Sequence, residues 1–489
     1  MKKYFIIGTV ILFSLSAYAN NLQIGFVTLS TSSGNYYLNF TISWENSWRV
    51  SSPPFNRDAV WLFVKRRDCA SLQWQHANLG AQDSDHSAGS PLFVDAYTDK
   101  KGVMIYRSGD GAGNITNVNV QLKLDSVPIG NYDYQVFGIE MVQVPQGSFY
   151  LGDGISSGGF QNGTSGIPYL VNSEATINVS TAANDLWSYN VGTPAGGVLP
   201  TAYPKGYNGF YCMKYEISQG QYAGFLNTLT QDAAANRYDG GYAGTFRYTI
   251  TGAWPALFAS SPDRACNWLT FKDLAAYFDW SALSPMTELE FEKACRGVNT
   301  PVGGECAWGG TLATDADSII AGTDGLPNEA CGNIIATGTG LANFGNSNIL
   351  GPLRCGFGAK TATNRFEAGA SYYGIMELSG NVYELCYNVY FNQTYSSGYL
   401  FNGSHGDGNL SASPTAGFAN QGWPVEYGPG QNVPEFFSVT AKGGSWISSP
   451  LSILNVSDRS YPVYTAAAST LDLNSRASSF GGRGVSRRQ

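Results

Sequence analysis

Charge is scarce in this chain. Lys, Arg, Asp and Glu make up 13% of its 489 residues, against about 25% in an average soluble protein. Disordered chains are charge-rich and aromatic-poor, and here aromatics reach 14%, so disorder is excluded. A coiled coil is excluded too, because it needs heptads of Ala, Glu, Lys and Leu. No basic run occurs and the net charge is −8, so nucleic acid is not an expected partner. Histidine appears three times, at His76, His86 and His405, without HxxxH or HExxH spacing. A zinc or iron site built on histidines is therefore not expected. None of the eight cysteines forms a CxxC pair, and none follows Cys386. Zinc ribbons and thioredoxin-type motifs are thereby removed.

Long apolar runs are missing as well, except at the start. Lys2 and Lys3 precede the apolar stretch Tyr4 to Leu15, and Ala17-Tyr18-Ala19 is a small-x-small cleavage site. Residues 1–19 read as a signal peptide. The stretch is shorter than the roughly 20 residues of a spanning helix, so cleavage is expected, with no transmembrane segment left behind. Cleavage removes two lysines and takes the net charge to −10. The mature protein is expected to be extracytoplasmic: periplasmic, on the cell surface or secreted. That setting permits disulfides, and some pairing is expected among the seven cysteines after residue 200.

What the chain has in plenty is glycine, 59 residues, with many Asn, Ser and Tyr. Residues 20–136 read as an all-β module resembling a β-sandwich. Leu22–Leu29, Tyr37–Trp44, Val60–Lys65, Gly102–Arg107 and Val118–Leu124 are short, β-branched and aromatic, and turn residues separate them. Residues 137–489 read as a loop-rich α+β unit. Helices are expected over Ser218–Leu229, with Tyr222, Phe225, Leu226 and Leu229 on one face, over Phe271–Trp280, and after Thr287. Thr287-Glu-Leu-Glu290 has the form of a capping box. Glu288, Glu290 and Glu292 favour the positive end of that helix and are read as structural.

Five segments of the second unit occur in a telling order: Met141–Phe149, Phe210–Tyr222, Pro285–Gly297, Tyr373–Glu384 and Lys442–Trp446. The fourth contains Gly-Asn-Val-Tyr-Glu and the last Gly-Gly-Ser. Together they resemble the formylglycine-generating enzyme, or sulfatase-modifying factor, family. The resemblance covers about 137–489 and implies a C-type-lectin-like fold. It also implies copper(I)- and oxygen-dependent oxidation of a substrate cysteine to formylglycine. The family holds copper with two cysteines, five residues apart, after the Gly-Gly-Ser segment. The matching positions here are Ser448 and Ile453. Copper(I) favours soft thiolates; a serine hydroxyl is hard and isoleucine has no donor. No catalytic residue is therefore assigned, and copper is not an expected cofactor.

Calcium is the cofactor the resemblance retains. The family's side-chain and carbonyl ligands at i, i+3, i+5 and i+7 fall on Glu377, Gly380, Val382 and Glu384, and a second pair falls on Asn343 and Phe344. Carboxylates mixed with carbonyls suit this hard ion. The alternative is a tight turn at Gly380-Asn381 with Glu384 paired to an arginine such as Arg296. Arg483 is read as a buried ion-pair partner. Segment 385–435 is rich in Tyr, Asn, Gly, Phe and Trp, residues suited to adaptable recognition. Tyr387, Tyr390, Tyr395, Trp423 and Tyr427 are candidates to line a groove for a glycan or protein ligand. The expected function is an exported, non-catalytic, calcium-stabilised binding or structural module. The alternative is the copper-dependent oxidase that activates sulfatases.

Overall fold

Val60-Trp61-Leu62-Phe63-Val64 is apolar at every position, the pattern of a strand buried on both faces. The computed structural model, which describes residues 21–188, 197–345, 348–360, 363–389, 405–410, 419, 439–460 and 476–488, bears this out. All five side chains are fully buried within the strand Asp58–Asp68. Val60, Leu62 and Val64 point to one side, into a cluster with Leu38, Phe40, Ile42 and Trp44. Those four alternate with polar residues along Asn35–Arg49, a strand of a separate five-stranded sheet. Trp61 and Phe63 point to the other side, into the largest cluster of the protein. The signal-peptide stretch 1–19 lies outside the described residues.

Asp58–Asp68 belongs to an eight-stranded sheet. Its path runs Ser284–Pro285, Gly484–Ser486, Phe210–Met213, Tyr132–Val144, Asp58–Asp68, Val103–Arg107 and Leu92–Ala96, and the eighth strand, Trp74–Ala77, pairs with Asp58–Asp68 off this path. The expected division of the chain falls within this sheet. The boundary placed between 136 and 137 falls inside Tyr132–Val144, which runs unbroken. That strand pairs along eleven residues with Asp58–Asp68 on one side and with Phe210–Met213 on the other. The residues after 136 continue the same buried strand, so the sequence carries no turn signal there. The two segments share one sheet and, through it, one core.

Four α-helices are described: α1 (Gln219–Leu226), α2 (Gln231–Arg237), α3 (Phe271–Trp280) and α4 (Glu288–Arg296). Three begin at a capping box, on Ser218, Thr270 and Thr287, where side chains satisfy amides that lack helical partners. The expected helix at Ser218 ends three residues early, at Leu226; Phe271–Trp280 matches its expected span. The short α2 was not anticipated. Helices α1 and α3 lie against the sheet, with Phe63 stacked on Phe137 and edge-on to Trp280, at centroid distances of 5.3 and 5.1 Å. The fold is thus sheet-rich α+β.

The expected disulfides are not found: all eight cysteines are free thiols, and only Cys69 is exposed. The seven buried thiols are spread over five apolar clusters. There they act as small apolar side chains, and burial pushes their pKa values up, that of Cys212 to about 12.

Candidate functional site

The quoted segments after residue 200 converge on one buried place. Gly443 and Gly444 both have positive φ, at 77° and 72°. A Cβ on Gly443 would lie 2.4 Å from the Leu378 carbonyl, so glycine is what lets the two loops touch. Backbone bonds then stitch three segments together. Gly380 N–H donates to Gly443 O (2.8 Å), Trp446 N–H to Asn381 O (2.8 Å), and Asn381 N–H to Asn343 O (2.9 Å). The Asn381 side chain is the hub. Its Oδ1 accepts from Leu353 N–H and from Asn343 Nδ2, and its Nδ2 donates to Glu216 Oε2 at 2.6 Å. Glu216 Oε1 accepts from Val382 N–H.

Around this hub lie three buried carboxylates and the guanidinium of Arg483, and the charge of Arg354 also acts on Glu377. Glu216, Glu377 and Glu384 are at most 6% exposed, and Arg483 is 1% exposed. Arg483 Nε donates to Glu384 Oε1 at 2.5 Å, and Nη1 donates to Met376 O at 2.7 Å. Glu377 Oε1 accepts from Gly356 N–H at 3.0 Å. Burial raises the pKa of all three acids, and the charge of Arg483 restrains the rise. Glu377 is pushed up to about 7. Three carboxylates outnumber Arg483 when all are ionised, and Arg354 offsets part of the excess at Glu377. Glu377 also sits at φ 54°, a left-handed backbone that is uncommon outside glycine and concentrates at functional sites.

Three oxygens here are buried without a hydrogen-bond partner: Asn343 Oδ1, Glu377 Oε2 and Glu384 Oε2. All three belong to the residues expected to bind calcium. Among the described residues, no three His, Cys, Asp or Glu side chains converge as a metal-holding group. A cation at this place would therefore take a large part of its shell from backbone carbonyls, the role expected of Gly380 and Val382. Asn343 Nδ2 also donates to Gly351 O, and Phe344 N–H donates to Asp315 Oδ1 at 3.4 Å. The arginine paired with Glu384 is Arg483, not Arg296. Arg296 instead pairs with Glu292 and Glu305.

The positions matched to the copper cysteines are committed elsewhere. Ser448 is 3% exposed. Its Oγ accepts from Ser445 N–H at 2.8 Å and donates to the Tyr383 hydroxyl at 3.0 Å. Ile453 packs against the main apolar cluster. Neither supplies a soft donor, so the residues present do not fit copper(I).

The family model of the sulfatase-modifying factor enzyme 1-like domain matches residues 133–470, well over half of the chain. The chain belongs to this sulfatase-modifying factor family. A search of curated proteins finds no match. The family match begins one residue into the strand Tyr132–Val144, so the sulfatase-modifying factor domain takes its first strand from a sheet it shares with the N-terminal segment.

Of the groove candidates, Tyr390, Tyr395, Trp423 and Tyr427 lie outside the described residues. Tyr387 is in the core instead of on a surface. It is 2% exposed and meets Phe271 edge-on at 5.1 Å. Its strand, Tyr383–Tyr387, is buried at all five positions, between Val439–Lys442 and Phe480–Gly481. The three glutamates of α4 are buried and paired: Glu288 with Arg459, Glu290 with Arg487, Glu292 with Arg296. Sequence reading passed over Glu216 and Asn381 as site residues. Glu216 stood in the quoted segment Lys214-Tyr-Glu-Ile217, a charge next to apolar residues, and that was the available signal.

Asp263, whose backbone oxygen accepts from Cys355 N–H, carries a pH dependence. Burial pushes its carboxyl up to about 7, against the opposing charge of Arg354. The folded protein thus holds this proton more tightly than the unfolded chain, whose aspartates titrate near pH 3.9. The contribution to stability is full below about pH 4 and is lost as pH rises through 7. Asp263→Asn is expected to remove this decline. Urea midpoints at pH 5 and pH 7.5 should differ less in the variant than in the parent; an equal difference would contradict the assignment.

Proposed function

We propose that this sulfatase-modifying factor protein is an exported, non-catalytic member of its family. In this reading it works as a calcium-stabilised binding or structural module for a glycan or protein ligand. The observation that carries the reading is the loss of both copper thiolates, with Ser448 and Ile453 in their places. Ser448 is bound to Ser445 and Tyr383, so its hydroxyl is not held ready for a metal. A C-type-lectin-like arrangement of the family domain and a sandwich-like N-terminal segment are part of the same reading.

Calcium is supported by the chemistry of the donor set. Glu377, Glu384 and Asn343 each present an unpaired buried oxygen. A divalent ion would favour the ionised form of these acids, which burial disfavours. Glu377, Glu384 and the carbonyls of Gly380 and Val382 would hold one ion, and Asn343 with Phe344 would contribute to a second. What calcium supplies when bound is charge balance and rigidity in the loop 377–384.

Copper(I) titration against a chromophoric chelator tests the proposal. The protein is expected to leave the chelator loaded, whereas the double variant Ser448→Cys, Ile453→Cys is expected to withdraw copper at one equivalent. Withdrawal by the parent protein would overturn the non-catalytic reading and favour the copper-dependent oxidase.

A further inference from the structure

A cavity of about 230 Å³ opens between the N-terminal strand, the middle of Tyr132–Val144 and helix α1. Its lining includes none of the calcium candidates and neither copper position, and its wall is mostly apolar. Leu22, Phe63, Phe137, Leu257 and Trp280 line it, and no charged side chain does. Gln221 reaches it, but its Oε1 accepts from Ser218 N–H in the cap of α1. Phe26 and Phe258 also line the cavity while 65% and 52% exposed, so they mark its opening.

Native interiors are close-packed. An apolar cavity of about 150 Å³ already stays dry and admits benzene. This one is larger, and helix α1 keeps it open at a cost to itself. Gly224 lies inside α1, where glycine is a poor helix former. Close packing does not require it: a Cβ there would meet nothing nearer than Phe137 Cε1, at 3.9 Å. Gly220, one turn earlier, is different, since its Cβ would lie 2.8 Å from Pro262 Cβ. Gly224 thus leaves a space that any larger side chain would occupy.

We propose that this cavity is a binding site for a single alkyl chain, the acyl tail of a lipid or fatty acid, with the polar head left at the opening beside Phe26 and Phe258. Tyr134, Gln135 and Gln221 add a few polar atoms, but the wall carries no charge and is mostly hydrocarbon, which suits an alkyl chain better than a hydroxyl-rich ligand. The inference stands apart from the proposed function, because it uses none of the same residues.

The test is a titration of the full mature protein with the fluorescent fatty acid cis-parinaric acid. One saturable site is expected. Gly224→Leu, which fills the cavity, should weaken binding at least tenfold, with the near-ultraviolet circular dichroism of the folded protein retained. Phe258→Asp places a charge at the opening, on a side chain exposed enough to leave folding intact. It should weaken binding severalfold, and it decides the matter if Gly224→Leu fails to fold. Decanol and decanoate should both displace the probe. Absence of saturable binding, binding unchanged in either folded variant, or displacement by decanoate alone would overturn the proposal.

Discussion

Replacing Arg483 by methionine is expected to destabilise the protein by about 3–5 kcal/mol, the usual loss when one partner of a buried ion pair is removed. Arg483 and Glu384 are each 1% exposed, so solvent cannot take over the screening. Glu216 and Glu377 depend on the same guanidinium to hold down pKa values that burial raises. Methionine fills much of the volume but leaves three carboxyls to protonate or repel. Lysine is expected to recover only part of the loss, because it cannot donate from Nε to Glu384 and from Nη1 to Met376 in one planar fork. Urea unfolding reads the difference. A loss below about 1 kcal/mol, the range of exposed pairs, would mean that Arg483 does not balance this cluster.

The second large effect is calcium. A ligand that binds only the folded state stabilises it by about 2.7 kcal/mol when present at 100 times its Kd. Calcium is expected to raise Tm by several degrees, and a chelator to reverse the shift. Magnesium should do less, since it demands near-octahedral geometry and gives up water reluctantly. Glu377→Gln and Glu384→Gln should each abolish the calcium response. Glu377→Gln should also make the calcium-free protein no less stable, because it removes a buried acid that is costly to ionise. An unchanged Tm in millimolar calcium would leave the cluster to its arginines, Arg483 and, at Glu377, Arg354.

Much of this was legible in the residues, for identifiable reasons. Helix α3 is legible because the apolar spacing of Phe271–Trp280 is helical, and the structure adds that Thr270 caps it. The strand at Val60–Val64 was plain because five consecutive apolar residues suit burial on both sides. The family was readable from short segments whose glycines and asparagine make the loop contacts, Gly443 on Leu378 and Asn381 on Glu216. Other features could not be read. That the boundary read near 136 lies inside a continuous strand is not legible, because one strand serves two parts of the chain and a shared strand carries no turn signal. Disulfides are inferred from export and cysteine number, yet unpaired thiols buried in apolar clusters have the same composition. The core place of Tyr387 is not legible, because pattern alone does not distinguish a sheet-core tyrosine from a groove tyrosine. The pairing of Glu384 with Arg483 spans 99 residues, beyond any local signal.

The most direct test of the central claim is turnover. The purified mature protein, with copper(I), oxygen and calcium, is mixed with a peptide carrying Cys-x-Pro-x-Arg, the motif that the family oxidises, and mass spectrometry follows the cysteine. The account predicts an unaltered peptide after many hours with the protein folded. Conversion of the cysteine to the aldehyde would contradict it, and would place a working copper site somewhere other than Ser448 and Ile453.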